Sequence, residues 1–344
     1  MAIKIYPNRI EFEKYSLVIT NNGLVVSSTG DPSNTAAYGT LTYADAGPSI
    51  VFQGTNAGYS SGGYSVPYSN VIDKFPFATV FASTDAGDLS VARGDHAGQS
   101  SSVSGYASGG FGPSSYCNTI DKFPFSASAV VATSVGVLTC ARRVQAGQSG
   151  PSSGYTSGGG APDGLTVIDR FPFSNDRNSV LVGCLSIGRR GTTGQSSAEY
   201  GYTSGGQPVP APADTVIDKF PFATDVNATA VGNLSCCRWL AAGASSSTHG
   251  YTMGGYVATS SNIIDRFPFA SDGTATDVGD LSANRSYSTG ISSSVSGFTA
   301  GGGEGSPIGN TAKVDKFPFT APFATATCVG SLTVSRRINA GHQI

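Results

Sequence analysis

The chain writes one phrase six times. VIDKFPF at Val71 returns as TIDKFPF at Thr119, VIDRFPF at Val167, VIDKFPF at Val216, IIDRFPF at Ile263 and KVDKFPF at Lys313. The aspartates of the phrase are Asp73, Asp121, Asp169, Asp218, Asp265 and Asp315, spaced by 48, 48, 49, 47 and 50 residues. A second phrase, G-[YF]-x-x-G-G, precedes each copy and carries Tyr59, Tyr106, Tyr155, Tyr202, Tyr251 and Phe298. A third, roughly V-G-x-L-[ST]-x-x-R, follows and ends on Arg93, Arg142, Arg189, Arg238, Arg285 and Arg336. Repetition covers about residues 47–344 of the 344. An internal period of 40–50 residues restricts the chain to a propeller or a solenoid.

The contents of one unit decide between them. The second unit reads as four short strands, at about 97–103, 104–108, 118–123 and 132–138. Gly109-Gly110 breaks the chain after the second strand and Pro124 closes the third. Proline lacks the N–H a ladder needs, so it belongs at a strand end or an open edge. Four short strands per unit match a propeller blade, whereas a helical solenoid needs amphipathic stretches of 10–15 residues that are missing here. Composition agrees. Charged residues make up only 12% of the chain, and 46 residues are glycine. A net charge of −2 excludes a basic nucleic-acid binder and a charge-driven disordered chain.

The order of arginine, small-residue strand, [YF]-x-x-Gly-Gly, variable loop and strand ending near aspartate resembles the kelch repeat. That resemblance covers almost the whole repeated region and implies an all-β, six-bladed propeller with four-stranded blades. Kelch blades place a tryptophan in the last strand, whereas this chain has a single tryptophan, Trp239. The FPF phrase holds 12 of the 18 phenylalanines, so its rings are expected to wedge between blades in the tryptophan's place. The final segment, residues 340–344, aligns with the strand that opens the second and third units, and is expected to complete the first blade. The alternative is that residues 47–54 supply that strand. The resulting domains are 1–45, a β-hairpin attachment segment with its turn near Asn21-Asn22-Gly23, and 46–344, the propeller.

The recurrent charges have two readings. As a functional ring, the six aspartates and six arginines would face the channel and bind a small ion. As a construction rule, each aspartate accepts backbone N–H groups or pairs with an arginine across a blade boundary. The second is favoured, because binding sites are asymmetric and these groups recur in every blade. The six cysteines have no CxxC spacing and read as buried free thiols from a reducing cytoplasm. His96, His249 and His342 read as surface or packing residues, not metal ligands. No catalytic set, metal site or cofactor motif emerges, and the carboxylates Glu199 and Glu304 lack a partner for acid–base work. Neither a secretory signal nor a membrane span is expected.

The loops between Gly-Gly and IDKFPF vary most and should leave one face; they read either as recognition loops or as merely solvated turns. Tyr64, Tyr68, Tyr116 and Tyr256 are the candidate recognition residues, offering aromatic surface to a sugar or a protein. The wording of the repeat also resembles virion-associated structural proteins of marine bacteriophages. The resemblance implies a non-enzymatic virion component, assembled in the host cytoplasm. Residues 1–45 would bind other virion proteins and the blade loops a host-surface glycan or protein, with no nucleic acid and no membrane insertion. The alternative is a carbohydrate-binding or adhesive propeller on a bacterial surface.

Overall fold

The computed structural model describes residues 53–78 and 81–344 except 322 and 324, and before them the backbone of four short strands. Two compact units divide the chain, Met1–Ser49 and Ile50–Ile344. In the first, Lys4–Tyr6, Arg9–Phe12, Tyr15–Thr20 and Gly23–Ser28 form an antiparallel sheet in chain order. The expected hairpin is its second half, closed at Thr20↔Gly23. Two earlier strands extend the sheet beyond what the sequence indicated.

The second unit is a propeller of six four-stranded antiparallel blades. In the second blade the strands run from channel to rim as Ala97–Ser100, Ser104–Ser108, Thr119–Pro124 and Thr133–Val137. The proline ends the third strand, where its missing donor costs nothing, and a bulge at Ile120/Asp121 bends the ladder. The first blade takes its inner strand from the far end of the chain. Ala340–Gln343 pairs antiparallel with Ala57–Tyr64, in the register Ala340↔Ser61 through Gln343↔Gly58. Residues 47–52, most of the alternative opening strand, lie outside the described residues, and the tail fills that place. Sharing one blade between the two ends leaves no empty inner-strand place at the seam.

Aromatic rings form the cement between blades. Within a blade, the first phenylalanine of FPF lies over the glycine opposite it on the second strand, as Phe123 does over Gly105. Any Cβ there would collide with the ring, which is why the motif reads G-Y and not A-Y. The tyrosine beside that glycine reaches the next blade. Tyr59 meets Phe123 and Phe125 with centroids 6.0 and 4.8 Å apart, and its hydroxyl donates to the Phe125 carbonyl at 3.2 Å. The contact repeats around the ring to Phe298 against Phe75 and Phe77, at 5.9 and 5.1 Å. Phe298 has no hydroxyl, and Lys316 Nζ reaches the Phe77 carbonyl in its stead at 3.5 Å. The FPF rings pack between blades as expected.

Candidate functional site

The six repeat arginines and aspartates are fully buried, and each pair bridges two blades. Arg93 Nη1 lies 3.0 Å from Asp121 Oδ2, while its Nη2 donates to the Ala107 carbonyl at 3.0 Å. The same carboxylate accepts the Ser90 backbone N–H at 3.0 Å. Equivalent pairs are Arg142–Asp169, Arg189–Asp218, Arg238–Asp265, Arg285–Asp315 and, across the closure, Arg336–Asp73. The arginine's own carbonyl meanwhile accepts the second N–H of the Gly-Gly turn in its unit, as Arg93 does from Gly63 at 2.8 Å. Both glycines there hold positive φ, 56° and 116° at Gly62 and Gly63, which a side chain would strain. One residue thus ties down a turn and the neighbouring blade. These charges hold blades together and present nothing to a ligand.

Around the channel the inner strands close two backbone rings. Asp95, Val144, Gly191, Leu240, Tyr287 and Ile338 each donate an N–H to the carbonyl of the corresponding residue in the preceding unit, at 2.7–2.9 Å. All six hold φ between 52° and 65°, unusual for β-branched Val144 and Ile338. Below this hoop sits a collar of Gly98, Gly147, Gly194, Gly243, Gly290 and Gly341. A Cβ on any of them would overlap the carbonyl oxygen of the preceding one. The lumen they enclose holds about 150 Å³.

All six variable loops gather at the hoop's mouth. The residue after Gly-Gly pairs with the residue after the previous unit's repeat arginine: Tyr64 with Arg337, Phe111 with Gly94, Gly160 with Arg143, Gln207 with Arg190, Tyr256 with Trp239 and Gly303 with Ser286. This brings the four candidate tyrosines to one face. Tyr64, Tyr68, Phe111 and Tyr116 form an unbroken aromatic arc with centroid spacings of 5.2, 6.0 and 5.3 Å. Tyr256 lies further round, 6.5 Å from Trp239. Three half-buried arginines lie over these rings. Arg143 covers Phe111 at 5.2 Å, Arg190 covers Trp239 at 5.7 Å, and Arg337 covers Tyr64 and Tyr287, both at 5.6 Å. Asp95 is buried beside them, 3.4 Å from Arg143. Burial pushes its carboxyl up to about 6 against the opposing pull of Arg143 and Arg337.

Sequence reasoning found the tyrosines but missed Arg143, Arg190, Arg337, Trp239, Tyr287 and Asp95. The signal was present, because the position after the repeat arginine reads Gly94, Arg143, Arg190, Trp239, Ser286 and Arg337. It is the variable letter inside an otherwise regular motif. The histidine expectation also needs refinement. His96 and His342, from opposite ends of the propeller sequence, meet at the closure, where both Nε2 atoms approach Ser61 Oγ, at 3.0 and 2.8 Å. His342 Nδ1 donates to the Gln99 carbonyl at 3.1 Å, so its Nε2 accepts from Ser61 and His96 donates to Ser61. Burial lowers His342 to about 4. Burial, with the Arg93, His342 and Arg336 charges, also lowers His96 well below its usual value. All three groups are buried in the blade, a packing role at an asymmetric point of the ring.

The cysteine expectation is corrected: none is buried, five being half-exposed and Cys328 exposed. Cys140 and Cys236 occupy a repeat position that holds exposed Val91 and Val334 in other blades, and each accepts from its neighbouring arginine, at 3.3 and 3.0 Å. Glu304 is held by two cations, Arg285 at 2.7 Å and Lys313 at 2.9 Å. Among the described residues no group of three or more metal-ligating side chains occurs, and no helix is long and apolar enough to cross a membrane. No protein-family model matches the chain, and no curated protein is significantly similar to it.

Proposed function

We propose that the protein is a non-enzymatic binding propeller that presents its arginine- and aromatic-lined mouth to a surface, as a component of a virus particle. One observation carries the binding role: half-buried rings from the variable loops and half-buried guanidinium groups from the position after the repeat arginine converge on one rigid mouth. Half-buried aromatic and arginine side chains are the groups that dominate binding energy at interfaces. Loops on a rigid scaffold commit them to a fixed arrangement. The kelch-like and phage-like wording of the repeat supports the virion placement and the attachment role of residues 1–45. Many copies on one particle would turn weak single contacts into firm attachment.

Mass spectrometry of purified particles tests the placement, and a retention assay on host cells tests the face. The protein should co-purify with virions at stoichiometric abundance, and replacing Tyr64, Tyr68, Tyr116 and Tyr256 by Ser should abolish cell retention without changing the fold. Absence from particles with tyrosine-dependent cell binding retained would move the protein to the second reading, an adhesive propeller on a bacterial surface.

A further inference from the structure

The mouth is not uniform, and its asymmetry selects a ligand. At the mouth a cavity of about 200 Å³ opens, lined by Asp95, Arg143, Arg190, Trp239 and Tyr287, with Arg190 over the Trp239 ring. Both guanidinium groups are under-used. Among the described residues Arg143, which also lies over the Phe111 and Tyr116 rings, makes one side-chain hydrogen bond, the long 3.4 Å contact to Asp95, and Arg190 Nε has no hydrogen-bond partner although buried. The remaining donors of Arg190 reach the Pro162 carbonyl at 3.2 Å and Gln207 Oε1 at 3.4 Å. Arginine forks match planar carboxylates through paired N–H···O bonds, and here two forks flank one space. The cavity is smaller than the roughly 300–1,000 Å³ typical of drug-sized ligands, so it takes one ring.

From these contacts we infer that the cavity binds the carboxylate of an acidic sugar residue, with Arg143 and Arg190 on the anion and the sugar ring against Trp239 and Tyr287. This assignment rests on the reading of the mouth as the recognition face. Asp95 is the built-in competitor. It faces Arg143 and Arg337, and the phenols of Tyr68 and Tyr287 share the same field. A bound carboxylate takes Arg143 from Asp95, and protonation of Asp95 on acidification releases Arg143 without a competing anion. Acidic sugars therefore bind more tightly as pH falls through about 6.

Trp239 is the chain's single tryptophan, so its fluorescence reports the site directly. Titration of the full chain with glucuronate should change that emission saturably, with affinity about tenfold or more above that for glucose or acetate. Arg190→Gln and Arg143→Gln should each lose about tenfold, with Arg143→Lys retaining part of the binding if the charge and fold are intact. Asp95→Asn should tighten binding at pH 7 and remove its pH dependence. Equal affinity for glucose overturns the carboxylate, equal affinity for acetate overturns the sugar, and unchanged binding in both arginine variants overturns the site. Loss of glucuronate binding alongside intact tyrosine-dependent cell retention would remove this ligand class and leave the recognition face standing.

Discussion

Asp121 is the best single place to test the account of how the blades are joined. Its carboxylate is completely buried and accepts from Arg93 Nη1 at 3.0 Å, the Ser90 N–H at 3.0 Å and the Ser90 hydroxyl at 2.7 Å. Asp121→Leu leaves the Arg93 guanidinium charged, buried and without its counter-ion, which costs about 3–5 kcal/mol. For a domain of this size that corresponds to a fall in Tm of roughly 5–8 °C. The double variant Arg93→Met/Asp121→Leu removes both charges. It leaves the Ser90 N–H and hydroxyl and the Ala107 carbonyl without these partners, at about 1 kcal/mol each, so it should recover part of the loss. Urea and thermal denaturation of the wild type, both single variants and the double variant close the cycle. Two outcomes refute the reasoning: a single variant within about 1 kcal/mol of wild type, or a double variant no more stable than Asp121→Leu.

Three further outcomes are expected. Phe123→Ala should cost about 3–5 kcal/mol, because the ring fills space over Gly105 and against Tyr59, and a melt unchanged from wild type would place it outside the core. Deleting residues 341–344 should lower the melting temperature sharply, since it removes the first blade's inner strand; a tail that could be lost without effect would reject the closure. Acid titration should reveal His342. Its folded pKa of about 4 lies below the ordinary 6.5, so the unfolded chain takes up the proton first. The stabilisation is complete above about pH 6.5 and is lost as pH falls to about 4, amounting to about 3 kcal/mol. His96, also lowered, adds to this loss, while Asp95, raised to about 6, works in the opposite sense. Comparing wild type with His342→Gln, the residue found at the same position as Gln99, isolates the His342 share; parallel pH curves for the two would overturn it.

What the sequence made legible is what repeats. Six copies of FPF, Gly-Gly and arginine specify blade number, turn geometry and inter-blade cement, because each letter recurs wherever the same contact recurs. The tail's likeness to the strand opening the second and third units pointed to the closure, with residues 47–54 as the alternative. The mouth was only half readable. Its tyrosines stand in loops that vary visibly, but Arg143, Arg190 and Arg337 hide inside the conserved frame, one residue after the arginines that fix the blades. The meeting of His96 and His342 follows from the closure, which sets their neighbouring units side by side, although the sequence showed only that both stand near the same blade phase. The thiols were misjudged because cysteine's general preference for the interior gave way to a repeat position that sits at the surface.

The hoop of six N–H···O=C bonds has a consequence for how this protein can change. Each unit grips its predecessor through backbone atoms, and the glycine collar beneath leaves no room for a side chain of any kind. The collar therefore cannot be re-lined by substitution, and variation is driven outward to the hoop and to six equivalent addresses at the mouth. A chain built this way can exchange what it grasps, one petal at a time, while its centre stays the same.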